Sequence, residues 1–242
     1  MIMNKVKDME RKYVLSEERL EYSGRELRRV VAVRSFGGVT VGGVGGWVES
    51  EANLSHDGNC WIFDDAKVMD GALVSGDAVV LGSALVRGNA KVCGRATVMD
   101  EAFVGDNAVV WDDAKLFGNA VVVDSSIICG KGKVFDHASV IQNALVGGVA
   151  KVYGEAIVAG NGQVTMEAEV FENAFIDQNA HVCGYAKVFG KARVYGNATV
   201  EGFSEVYGNC QIHGNAVVKG ESSISNNIEL KGNSLVKDSY LY

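Results

Sequence analysis

From Cys60 to Val236 the chain repeats one short pattern of apolar and polar positions without an insertion. Stepping by six from Ile62 to Val236, all 30 positions are Val, Ile or Leu, and two residues earlier stands Ala in 21 of the 30 cases. A spacing of two places pairs such as Ala90 and Val92, or Ala198 and Val200, on one face of a short strand, because alternate side chains share a face. The residues between and after them point outward. Pairs such as Gly118-Asn119 and Asp112-Asp113 follow, and these tolerate left-handed backbone and mark corners. Each hexad therefore predicts one strand and one turn, with no helical period.

The outward residues give the length of a coil, since stacked neighbours repeat at the coil length and not at six. At a lag of eighteen the chain reads Phe63, Leu81, Met99, Phe117, Phe135, Tyr153, Phe171, Phe189 and Tyr207, nine large apolar residues in succession. Thirty hexads then make ten three-sided coils. At about 4.7–4.8 Å per stacked strand, the prism is on the order of 50 Å tall. Ala and Val fill its narrow bore, so Phe and Tyr are left to outward positions.

This spacing of small and aliphatic residues over residues 60–236 resembles the left-handed β-helix family of hexapeptide-repeat proteins. The turn glycine departs from that family's usual pattern, standing two residues after the aliphatic, as in Val92-Cys93-Gly94. The front segment, with Tyr13-Val14-Leu15-Ser16 and residues 42–66, is similar to bacterial and phage repeat proteins of the YdcK type. The expected fold is all-β: a single-stranded left-handed parallel β-helix of about ten three-sided coils with an N-terminal β-hairpin cap. The left hand comes from the resemblance. The expected organisation is a capping segment at 1–45, the repeat at 46–236 and a short C-terminal cap at 237–242. Within the first, residues 19–33 read as a hairpin about Ser23-Gly24, with Leu27, Val31 and Val33 turned toward the prism. Gly46-Val48 and Ala52-Leu54 begin the repeat two residues out of register. A thin cover at Ser239-Tyr240-Leu241-Tyr242 leaves the last coil open to end-to-end contact.

Charge narrows the partners. With 30 Asp and Glu against 23 Lys and Arg, the net charge of −7 argues against a general grip on nucleic acid or an anionic membrane. No apolar run reaches the roughly 20 residues that span a bilayer, and MIMNKVKDMERKY lacks a signal peptide's apolar core, so the cytoplasm is the expected compartment. Five cysteines without CxxC spacing read as reduced thiols.

Two outward columns flank one corner of the prism: the aromatic one, and Leu85, Phe103, Val121, Ser139, Ile157 and Phe175, which Val123, Ile141 and Ala159 extend. Contiguous apolar surface of this kind marks interfaces. Members of the resembled family assemble as parallel trimers, so a homotrimer is expected with Leu85, Phe103, Phe117, Val121, Phe135, Tyr153, Ile157, Phe171 and Phe175 facing the threefold axis. The competing expectation is that the aromatics stack within one chain. Beside them run Lys115, Lys133, Lys151 and Lys187, interrupted by Glu169 and Glu205. Lysines over aromatics suit phosphates and stacked bases.

Catalytic chemistry is sparse. The resemblance implies acyltransferases with a histidine near a subunit interface and loops around the acyl donor, but no loop leaves the repeat after residue 60. His137 is the candidate general base, with Glu155 one coil away to orient it. Against that role, His137 fills a slot held elsewhere by Asn119, Asn173 and Asn209, residue types that share tolerance of left-handed turns. The clustered histidines of zinc-binding relatives are absent. Cys93, Cys129 and Cys183 share a column but stand about 10 and 14 Å apart, too far for a common metal. Asp64, Asp70, Asp100, Asp106, Asp112, Asp124 and Asp136 read as solvated turns. No metal and no cofactor is expected. The function expected is a non-catalytic homotrimeric binding protein whose inter-subunit grooves take a small ligand such as a nucleotide signal, or which blocks a host protein as a phage or prophage factor. The alternative is an acyltransferase using acyl-coenzyme A.

Overall fold

The computed structural model describes residues 11–242; residues 1–10 of the expected capping segment lie outside the described residues. Strands of two or three residues recur every six, nearly all carrying an outward side chain followed by a buried one. They stack in parallel, in register, at a lag of eighteen: Lys115-Leu116 lies on Lys133-Val134, which lies on Lys151-Val152. Three faces result. The first carries Lys67–Val68 through Glu229–Leu230, the second Leu73–Val74 through Leu235–Lys237, and the third Trp61–Ile62 through Tyr240–Leu241. The solenoid has about eleven turns, because Val44–Val48 and Tyr240–Leu241 each add a strand beyond the regular hexads. One departure from the small-residue pattern is Ile228, in the last coil of the first face, partly buried against the core.

The aliphatic and small positions fill one continuous core along the axis, nearly all of them at 0% exposure. Backbone pairing runs between coils and continues through the corners. Lys115, Phe117 and Asn119 donate to the carbonyls of Gly132, Val134 and Asp136 at 2.9, 3.2 and 2.6 Å. The first residue of each corner is left-handed, Gly94 at φ 69° and Asp112 at φ 58° among them.

The corner acids are more than solvated turns. Asp100 accepts the Gly118 amide at 2.9 Å, Asp112 that of Gly130 at 3.0 Å and Asp124 that of Gln142 at 2.8 Å. Glu172 does the same for Gly190 at 2.9 Å. Each carboxylate thus ties its own corner to the corner one coil on. A variant pair separates the two demands at such a site: Asp100→Ala loses the hydrogen bond and keeps a Cβ at φ 60°, whereas Asp100→Gly loses the bond but relaxes the backbone. Denaturant unfolding should show alanine costing about 1–2 kcal/mol and glycine less than half of that.

At the front, β1 (Tyr13–Tyr22) and β2 (Arg25–Ala32) form an antiparallel hairpin. Its turn, Ser23 at φ 50° and Gly24 at φ 74°, has the two positive angles of a type I′ connection. β3 (Val44–Val48) pairs antiparallel with β2 and parallel with Lys67–Val68, converting hairpin geometry into solenoid geometry. Val48 lies opposite Val68 and Leu54 opposite Val74, so the first coil is two residues longer than the rest.

The hairpin differs from expectation in which residues it buries. Val30 and Ala32 enter the axial core, while Val31 is only partly buried and Val33 is 42% exposed. The pairing of β2 with β3 is irregular between Arg29 and Val31, and a shift of one residue exchanges the two sides of a strand. Leu27 is buried on the other side, where with Leu20 and Tyr22 it covers Trp47, Met69 and Leu85 on the outer surface of the first face. Over the first coil, the Tyr13 ring stacks on His56 at 4.3 Å and its hydroxyl donates to the Leu54 carbonyl at 2.7 Å. The Lys12 ammonium, fully buried, donates to the Cys60 carbonyl at 2.9 Å.

Candidate functional site

Parallel strands in register make every outward column a row of identically oriented side chains, and the third face shows the consequence. The rings of Phe117, Phe135, Tyr153, Phe171, Phe189 and Tyr207 stack at 4.7–4.9 Å with interplanar angles of 4–5°. Their faces are used up within the chain. What the ladder offers outward is ring edges, so the expected stacking of bases on these rings has no free faces inside the ladder.

Lys115, Lys133, Lys151, Glu169, Lys187 and Glu205 form the floor beside this ladder. Lys151 meets Glu169 at 2.7 Å and Lys187 meets Glu205 at 3.7 Å. The Tyr153 hydroxyl donates to the other Glu169 oxygen at 3.2 Å. The Lys151 hydrogen bond, above all, holds the Glu169 carboxyl below the usual range, and burial with the Glu169 charge pushes the Tyr153 phenol up to about 12. The far wall is the corner between the second and third faces. Hollows of 390, 250 and 440 Å³ follow one another along it from Arg95 to Phe203, the first two sharing Lys131 and the last two sharing Glu167 and Glu169. Together they make one groove.

The same corner collects exposed apolar side chains. Trp111 and Ile127 lie on the second face, and Val149, Met166, Tyr185 and Phe203 on the corner itself; Phe203 is 62% exposed and Met166 60%. Tyr185 and Phe203 stack at 4.7 Å. This edge was missed by sequence reasoning, although Val149, Tyr185 and Phe203 do recur at the coil lag. By contrast, the nine residues expected at a threefold axis are all partly buried. Leu85 packs under the hairpin, and the Arg193 guanidinium lies 5.2 Å from the Phe175 ring centre. The rings of the ladder stack within the chain, a contact compatible with either expectation for this corner.

His137 and Glu155 sit one above the other on the corner between the third and first faces, both exposed. A Glu155 oxygen accepts from the Asn173 amide at 2.6 Å, and no bond joins it to His137. The left-handed residue of that corner is Asp136 at φ 57°, not His137, so tolerance of left-handed turns does not account for histidine there. The remaining histidines are separated: His56 in the cap, His181 bonded to Thr165 at 2.9 Å and His213 to Glu229 at 2.9 Å. Cys93, Cys129 and Cys183 carry free thiols, and burial raises all three. Among the described residues no group of three or more His, Cys, Asp or Glu gathers closely enough to hold a metal ion. No helix among them is long and apolar enough to cross a membrane.

Comparison with known proteins agrees with this repeat. Residues 192–208 match the family model described as the YdcK beta solenoid repeat. An alignment of 69 positions that covers 25% of this chain is 39% identical to a protein of Escherichia coli (strain K12) named "Uncharacterized acetyltransferase YdcK". The matched stretch covers 21% of that relative's length. The likeness to YdcK-type repeats carried by the residues themselves is thus found by both comparisons.

Proposed function

We propose that the chain is a non-catalytic binding scaffold, a rigid β-solenoid that works as a homotrimer and holds its partner on outward columns. The observation that carries this reading is the edge between the second and third faces, where exposed apolar side chains border a continuous groove. Apolar surface left exposed along one edge of a folded chain is characteristic of association sites. The columns from Phe103 to Phe175 adjoin a different corner, so a closed ring of three copies has two unlike surfaces with which to form heterologous contacts. Sedimentation at micromolar concentration is expected to give three times the 25.7 kDa chain mass. A monomer at that concentration would refute the trimer. A narrower form, a phage or prophage factor facing a host protein or a nucleotide signal, rests on the resemblance of the front segment.

A second reading has its own support in the relative named as an acetyltransferase. In that reading His137 is the general base, acetyl-coenzyme A the donor, and a neighbouring subunit completes the cleft that one chain leaves open. The scaffold predicts no coenzyme A release above background with a panel of amine and hydroxyl acceptors. Release that His137→Ala abolishes would replace it with the enzyme.

A further inference from the structure

The floor of the groove holds an unfavourable arrangement of charge. Lys115 pairs in register with Lys133, and Lys133 with Lys151, so three lysine stems rise from consecutive strands. Like charges directly opposite on neighbouring strands destabilise a sheet. Lys131 adds a fourth ammonium from the rim, where it lines the same 250 Å³ hollow as Lys133 and Lys151.

Two of the nearby acids are already paired, one of them with a lysine of the floor. Asp113 is held in a two-pronged bond by Arg95 at 2.6 and 2.7 Å, and Glu169 is bonded by Lys151. Lys131 and Lys115 act on Asp113 only as more distant charges. Among the described residues no carboxylate lies within ion-pair distance of Lys115, Lys131 or Lys133. The ring edges of Phe117 and Phe135 border these lysines, and an aromatic edge is the positive rim of the ring. Glu167 and Glu169 also line the 250 Å³ hollow, so four ammoniums face two carboxylates, and the positive excess at this stretch favours an anion on a chain whose overall charge is −7.

We propose that Lys115, Lys131, Lys133 and Lys151 form a binding site for a diphosphate group. Successive coils set the lysine stems about 4.8 Å apart. Two linked phosphates spread several charged oxygens over a comparable span, whereas a single phosphate meets fewer of the four ammoniums at once. Lysine serves phosphates as a mobile point charge, and the site requires no fixed fork geometry. This deepens the reading of the outward columns as binding surface. It does not depend on the trimer, since all four lysines belong to one chain.

The test is titration of the full chain with inorganic pyrophosphate and with ADP at low ionic strength, followed by calorimetry, beside the Lys131→Gln/Lys133→Gln double variant and a Lys191→Gln control, exposed on the corner between the third and first faces and outside the groove. Saturable binding is expected, weakened about tenfold or more in the double variant, unchanged in the control and reduced by added salt. Equal affinity for the two probes would assign recognition to the diphosphate alone, and tighter ADP would add a contribution from the nucleoside. Without ligand, the double variant should unfold at the same temperature as the parent or higher, because it removes repulsion; a purely structural role predicts a lower one. No saturable binding of either probe, or binding indifferent to the double variant, overturns the proposal.

Discussion

Alanine at Gly46 is expected to cost about 3 kcal/mol and to detach the front of the solenoid from the rest. A Cβ there would run into the Ile62 side chain and come within 2.6 Å of the Ala66 carbonyl, and at neighbouring Gly45 it would meet the Ile62 carbonyl at 2.5 Å. Those carbonyls belong to the coil beneath, and Ala66 O already accepts the Trp47 amide at 2.9 Å. The backbone cannot retreat without giving up the pairing that turns an antiparallel hairpin into a parallel solenoid. Because stacked coils contact only their neighbours, the damage should stay local. Trp47 and Trp61 report on it: their fluorescence should change at lower denaturant than the main loss of β-signal. A single coincident transition at the parental midpoint would contradict this account.

An isoleucine in place of Ala150 should be about as harmful, costing about 3 kcal/mol by overpacking. Ala150 is fully buried in the bore, with coils above and below that are equally filled. Ile228 shows where the same side chain is accepted: the equivalent position in the last coil of its face, where the packing is partial. Ser234→Ile, also near that end, is expected to fall within about 0.5 kcal/mol of the parent or to gain stability by adding apolar contact. Urea unfolding of the two variants tests the contrast directly. Comparable losses at both positions would mean that the bore is no tighter in the middle than at its end.

The legibility of this protein followed the physics of its two sides. Inward residues must fit one narrow lattice, so Ala150, Val152 and their equivalents announced strand, face and coil length through spacing alone. Outward residues carry no such constraint, and the candidate site was read only in part. The lysine column and the aromatic column were both recognised from the lag of eighteen. That the rings close on one another and show only their edges was not, because ring orientation depends on the side-chain angles that register imposes. Leu85 looked like interface and lies under the hairpin, since nothing in its local sequence tells that Leu27 folds back over it. The corner aspartates looked solvated and each binds the next coil, an interaction between residues eighteen apart.

By itself, the sequence determined the all-β solenoid, its three faces, its eighteen-residue coil and the hairpin turn at Ser23-Gly24. Those follow from periodicity and from backbone preferences that act over a few residues. Only the tertiary structure decided which side of the hairpin meets the axis, which apolar columns remain uncovered and which lysines keep an acid beside them. Each of these turns on a contact between distant segments: the irregular pairing of β2 with β3, the hairpin lying over Trp47, and Glu169 reaching Lys151 from the next coil.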